Sequence, residues 1–251
     1  MAPILELRGL DKHFGGIHVT REMNVEIREG ELSAIIGPNG AGKTTLFNLI
    51  TGYVKPDGGD IIYQGTSIVR KGPEKIVRMG IVKTFQVASL FPDKTVYNNV
   101  YMATMSFFRK NWQLLRGSSP SAESHAHTES ILSATGLTGK RNRQAFELSH
   151  GEQKVLDIAL ALALKPRLLL LDEPTAGMSP DERLKMRQLM KKLHEHFQVT
   201  TVFIEHDMDM VLGVAETVRV LVHGALIAEG TPEEMMKNEM VIEAYLGKEI
   251  L

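Results

Sequence analysis

A chain of 251 residues, 43% hydrophobic and 24% charged, can bury a full core and sits near the upper limit for one domain. A formal net charge of −1 sets up no basic field for nucleic acid, and the lack of cysteine excludes disulfides, thiol catalysis and cysteine-ligated metals. No basic segment followed by an apolar one opens the chain. Its apolar runs fall far short of the ~18–20 residues that span a bilayer, so neither a signal peptide nor a membrane crossing is expected.

Residues 4–7 and 23–27 read as half-buried strands of an antiparallel sheet. Between them Phe14 stands in a Lys-His-Phe-Gly-Gly turn, where an aromatic ring either stacks on a nucleobase or closes the core. The apolar strand at 32–36 runs into Gly37-Pro-Asn-Gly-Ala-Gly-Lys-Thr44, and an amphipathic helix follows over 46–50. Strand, glycine-rich turn and helix N-terminus in this order make G-x-x-x-x-G-K-[ST] a phosphate-binding loop. Gly37, Gly40 and Gly42 leave space for backbone N–H groups to wrap a phosphate. Lys43 reaches the β- and γ-phosphates, and the Thr44 hydroxyl can ligate Mg²⁺. The expected ligand is a nucleoside triphosphate.

Residues 55–60 form a turn cluster before a short strand at 61–63. A helix over 73–79 opens on Pro73 and stops at Gly80. The strand at 81–85 delivers Gln86, whose amide can ligate a metal or sense a phosphate. From about 95 to 135 the pattern is helical, with Thr95 as a cap and a flexible break at 117–121. This reads as a helical subdomain, spanning about 95–150, inserted into one α/β unit that covers 1–251. Met102, Met105, Phe107, Phe108 and Trp112 are its candidates for an apolar partner face or for core.

Ser149, with Glu152 three residues on, forms a capping box for a helix that runs to Leu164. The apolar run at 168–171 suits a buried parallel strand and ends in Asp172 and Glu173. Acids at the C-terminal end of such a strand lie where an α/β sheet places its ligand site. Asp172 can hold the Mg²⁺ shell, and Glu173 can orient and deprotonate a water. After a helix at 180–196, the strand at 199–204 ends at Glu205, His206 and Asp207, putting His206 within reach of a γ-phosphate. A hairpin at 218–228, a capping box at Thr231 and a last helix at 240–246 close the chain.

Leu148-Ser-His-Gly-Glu152 placed shortly before Leu168-Leu-Leu-Leu-Asp-Glu-Pro174 makes the whole chain resemble the ATP-binding-cassette ATPases. The resemblance implies an α/β P-loop NTPase core with a mostly parallel sheet, an N-terminal antiparallel β subdomain and the inserted helical subdomain. It gives Phe14 the adenine and makes Gly37, Pro38, Asn39, Gly40, Ala41, Gly42, Lys43, Thr44 and Thr45 the Walker A loop. Gln86 becomes the coupling glutamine and a metal ligand with Thr44 and Asp172. Ser149, His150, Gly151 and Glu152 become signature residues, Glu173 the catalytic base and His206 the switch histidine. ATP and Mg²⁺ are the implied cofactors. Two cassettes, identical or paralogous, would pack head to tail, each ATP lying between one Walker A loop and the other subunit's signature helix.

Ile81-Val-Lys-Thr-Phe-Gln86, Glu205-His-Asp-Met208, Glu229-Gly-Thr-Pro232 and Ala244-Tyr-Leu-Gly247 look like the ATPase subunits of branched-chain amino acid importers. The urea and short-amide importers and the ATPase of lipopolysaccharide export are similar. The resemblance therefore implies transmembrane permease subunits, a solute-binding protein acting indirectly, no nucleic acid, and a peripheral place on the cytoplasmic face of the plasma membrane. Cassette ATPases outside transport carry coiled-coil insertions or a second cassette, and this chain has neither. A GTPase would need an Asn-Lys-x-Asp motif, also absent. Two stretches depart from the family pattern. His150 stands where Gly is usual, raising a pH-sensitive closure of the paired cassettes, Glu152 stands where Gln is usual, and Ser179 stands where an aspartate follows Walker B.

Overall fold

The computed structural model describes residues 3–84, 90–111 and 120–246. Its N-terminal strands are longer than the alternation predicts: β1 (Pro3–Phe14) and β2 (Ile17–Arg28) pair antiparallel through register shifts, one of them between Leu7 and Leu10. Irregular pairing breaks the strict period of two, which hides the outer half of this hairpin from a pattern search. Phe14 is consequently the last residue of β1, paired across the turn with Ile17, and Gly15 takes φ +58 to make the reversal. β4 (Gly58–Tyr63) and β5 (Thr66–Ser67) complete a sheet in the order β2-β1-β4-β5.

The second sheet is built from β3 (Leu32–Ile36), β6 (Ile81–Lys83), β7 (Leu168–Asp172), β8 (Thr200–Ile204), β9 (Thr217–Val222) and β10 (Ala225–Gly230), in the order β10-β9-β3-β8-β7-β6. Only β10 joins antiparallel. Alternate side chains of β7 serve two cores. Leu168 and Leu170 join an apolar cluster with Phe47, Leu5 and Ile27, whereas Leu169 and Leu171 join one with Val100, Ile131 and Phe203. This is why residues 168–171 are apolar without alternation, each buried leucine contributing roughly 1.5–3 kcal/mol. Helix α1 (Lys43–Ile50) lies in the first cluster, which bridges the two sheets and fixes the loop that precedes it.

Helix α2 (Pro73–Arg78) ends ahead of Gly80, which takes φ +100. The predicted helical stretch is α3 (Val96–Asn111) and α4 (Pro120–Ala134), and Thr95 Oγ1 accepts the Asn98 N–H at 3.1 Å as its cap. Both helices feed the same apolar cluster as the sheet instead of enclosing one of their own. Phe108 is 5% exposed and packs under the Lys165 ammonium, so it is core, not partner face, whereas Met102 is exposed. Trp112 and Gln86 lie outside the described residues. The remaining helices are α5 (His150–Ala163), α6 (Pro180–Phe197), α7 (Met208–Val214), α8 (Pro232–Met235) and α9 (Glu239–Leu246). No helix among the described residues is long and apolar enough to cross a membrane.

Candidate functional site

The loop after β3 is built for close approach. At Gly37 a Cβ would sit 2.0 Å from the Leu221 carbonyl oxygen, and at Gly42 2.5 Å from that of Val19. Gly42 also takes φ +99 as the N-cap of α1, so only glycine fits both the space and the backbone. The α1 N-terminus offers its unsatisfied N–H groups and the positive end of its dipole. Lys43 is 6% exposed and folds back to donate to the carbonyls of Gly37 at 2.8 Å and Pro38 at 3.1 Å. Its ammonium thus lies within the loop it is expected to serve.

Asn39, Gly40, Ala41, Gly42, Lys43, Thr44 and Thr45 line a cleft of about 360 Å³ together with Glu173 and His206. Parallel strands β3, β7 and β8 all point their C-terminal ends here, so residues more than a hundred positions apart converge. Asp172, 2% exposed, is 3.5 Å from Thr44 Oγ1, a pair of hard oxygens that suits a small divalent cation. Glu173 adopts φ 51, a left-handed conformation costing roughly 1–3 kcal/mol for a non-glycine residue, and its N–H donates to Ile204 O at 3.0 Å. His206 Nε2 lies 3.1 Å from Glu173 Oε1. The strand-end acid and the strand-end histidine therefore form one hydrogen-bonded pair facing the phosphate loop.

Ile17, Val19, Glu205 and Asp11 were not legible beforehand. Ile17 and Val19 of β2 form the cleft wall where the Phe14 ring was expected, while Phe14 is 47% exposed with Lys12 Nζ 5.2 Å from its ring centroid. Glu205, 3% exposed, accepts from Thr175 through its N–H at 2.8 Å and its hydroxyl at 2.6 Å. It pins the segment that follows Glu173, and its position at a buried strand end was the available signal. The hairpin is stiffened by Asp11, whose carboxylate lies 2.6 Å from His18 Nε2 and 3.2 Å from His13 Nδ1. The hydrogen bond with His18 holds the Asp11 carboxyl below the usual range against some burial.

The signature residues are not part of this cleft. Ser149 is the N-cap of α5, accepting from Glu152 N–H at 3.3 Å while Glu152 accepts from Ser149 N–H at 3.1 Å. Burial pushes the Glu152 carboxyl up, but hydrogen bonds from Lys140 and the Ser149 N–H outweigh it and leave the group below its ordinary value. Ser149, Gly151 and Glu152 line a separate cleft of about 250 Å³ with Met178 and Glu182. There Glu182 closes a second capping box on Ser179, at the start of α6, and reaches to 3.5 Å from Ser149 Oγ. Serine is among the favoured N-caps, so Ser179 keeps the helix start intact. The other departure packs beside it, with His150 Nε2 3.1 Å from Ala176 O.

These features agree with what the chain is similar to. The profile of the ABC transporter family matches residues 20–176, and that of the branched-chain amino acid ATP-binding cassette transporter matches residues 225–250. The high-affinity branched-chain amino acid transport ATP-binding protein LivG of Escherichia coli (strain K12) is 39% identical over 98% of each chain. MJ1267, an ATP-binding cassette of an ABC transporter, superposes with a TM-score of 0.84 at 30% identity, covering 98% of this chain and 99% of that one. MJ0796, a dimeric cassette in a post-hydrolysis state bound to ADP and Pi, superposes with a TM-score of 0.76 at 27% identity over 91% and 98%. By family profile, by identity along its whole length and by fold, this chain belongs to the ABC transporter family as an ATP-binding cassette.

Proposed function

We propose that this chain is the ATP-hydrolysing subunit of an importer for branched-chain amino acids, working as a pair of cassettes beneath transmembrane permease subunits at the membrane surface. Its ATPase character follows from the family. The observation that carries the mechanism is the convergence of Lys43, Thr44, Asp172, Glu173 and His206 on one cleft while Ser149 and Gly151 line another. The α5 N-terminus beside Ser149 and Gly151 offers N–H donors and the positive end of its dipole to a neighbour's nucleotide. Each site is then completed by the second subunit, and the 1–251 unit with its 95–150 helical part is the transmission body between nucleotide and permease.

In this reading Lys43 exchanges the Gly37 and Pro38 carbonyls for β- and γ-phosphate oxygens. Thr44 and Asp172 hold Mg²⁺, with Gln86 as a further ligand, and the ion supplies charge neutralisation at the phosphates. Glu173 takes the proton of the attacking water, and His206 keeps the Glu173 carboxylate turned toward the γ-phosphate. Phe14 stacks on the adenine edge from the hairpin that also supplies Ile17 and Val19. Ser149, His150, Gly151 and Glu152 address the γ-phosphate of the partner's site.

The cargo class is supported by the likeness to LivG and by the match at residues 225–250. Reconstitution of the chain with its permease and solute-binding protein in vesicles tests it. Stimulation of ATP hydrolysis by leucine, isoleucine or valine is expected; stimulation by urea or short amides alone would transfer the chain to that branch.

A further inference from the structure

Asp172 faces two ways. Its Oδ1 is 3.5 Å from Thr44 Oγ1, and its Oδ2 is 3.0 Å from the ammonium of Lys83, the last residue of β6. The Lys83 side chain is only 6% exposed and that of Asp172 1%. Lys83 Nζ also donates to Asn48 Oδ1 at 3.0 Å and sits 5.9 Å from the Phe47 ring centroid. Both of these partners belong to α1, the helix that opens with Thr44 in its first turn. Taking an ammonium and a carboxylate out of water costs several kcal/mol per ion, so an apolar residue at 83 would pack at less cost. The pair therefore calls for a reason beyond cohesion, and its direction supplies one.

We propose that Lys83 is the positioning residue for Asp172, holding Oδ2 so that Oδ1 stays turned toward Thr44 and toward the cation that these two oxygens share. This rests on the reading of Asp172 and Thr44 as metal-holding groups. The ammonium and the cation use different oxygens of one carboxylate, and Asn48 and Phe47 of α1 hold the ammonium beside Oδ2. Lys83 fixes the ligand without occupying its metal-binding face. Hydrogen-bonded partners of ligating carboxylates tune metal affinity in this way, by on the order of tenfold or more.

The test uses the full-length chain carrying Glu173→Gln to suppress hydrolysis, with mant-ATP fluorescence reporting binding. Nucleotide is bound first in EDTA and then across a MgCl₂ titration. Lys83→Met is expected to raise the MgCl₂ midpoint on the order of tenfold, to leave binding in EDTA unchanged, and to be largely reversed by Lys83→Arg. An unshifted or lowered midpoint overturns the proposal, as does a parallel loss of binding in EDTA, which would mark a merely structural residue. Should Lys83→Met not fold, Asn48→Ala, which removes the hydrogen bond between the ammonium and α1, is expected to raise the midpoint by a smaller factor, and no rise overturns the proposal. If the parent itself gains no affinity from MgCl₂, the metal reading of Asp172 fails, a result distinct from an unshifted midpoint in a parent that does respond.

Discussion

Glu173 carries the sharpest division of labour at the scale of single residues. Its backbone is held at φ 51 and its carboxylate lies 3.1 Å from His206 Nε2, so its geometry is set by neighbours on two strands and not by its own preference. Glu173→Gln keeps shape and hydrogen bonding but cannot take a proton. Hydrolysis is expected to fall about 10²- to 10⁴-fold while ATP binding persists, measured as phosphate release beside equilibrium binding. A near-normal rate would remove Glu173 from the role of base. Lys43→Ala should separate from it by weakening binding itself, because the ammonium that donates to Gly37 O and Pro38 O is the charge available to the phosphates. The loop glycines, Lys43, Asp172, Glu173 and His206 were legible because each stands at a strand end or in a fixed spacing. Lys83 and Glu205 were not, since their partners lie 89 and 30 residues away and pairing of that kind leaves no local period.

Helix starts decide the behaviour of the second cleft. The N-termini of α5 and α6 are both closed by capping boxes, and Glu182 belongs to one while touching the other. Backbone and side-chain hydrogen bonds from Ser179 are the main reason its carboxyl titrates below the ordinary value of 4.5, with Ser149 and His150 adding to the same direction. A depressed folded-state pKa means that the stabilisation is present above the unfolded value and is lost as pH falls through the folded one. The melting temperature of Glu182→Gln should therefore lie below wild type at neutral pH, and the gap should close under acid, below pH 4.5. Ser179→Ala, which removes the cap itself, is expected to cost about 0.5–2 kcal/mol in denaturant unfolding. The capping boxes could be read from Ser-x-x-Glu spacing alone. That the two would share Glu182 could not, because it depends on how α5 and α6 pack on one face of the sheet.

Across the whole molecule, charge is buried where the sheets meet as well as at the site. Arg219 on β9 is 1% exposed and reaches Glu31 Oε1 at 2.6 Å, Glu26 O at 2.6 Å and Glu229 Oε1 at 3.0 Å. Arg219→Ala should cost about 3–5 kcal/mol, read from urea unfolding, because Glu31 is left buried without its partner.

The separation of the two clefts within one chain bears on how two copies cooperate. If the signature residues of one subunit complete the phosphate cleft of another, two defects in different chains should complement. Lys43→Ala removes the phosphate-loop charge, and Ser149→Arg places a bulky side chain at the α5 N-terminus; each protein alone should be nearly inactive. Mixed in equal amounts, half of the pairs would be mixed pairs, each holding one intact site built from the Ser149→Arg chain's loop and the Lys43→Ala chain's signature helix. Activity should recover to about one quarter of wild type, the share of intact sites expected for a two-fold symmetric pair. No recovery from mixtures shown by crosslinking to contain mixed pairs would mean that each cleft works within its own chain. The fold argues against that outcome, because the α5 N-terminus and the α1 N-terminus line clefts that share no residue.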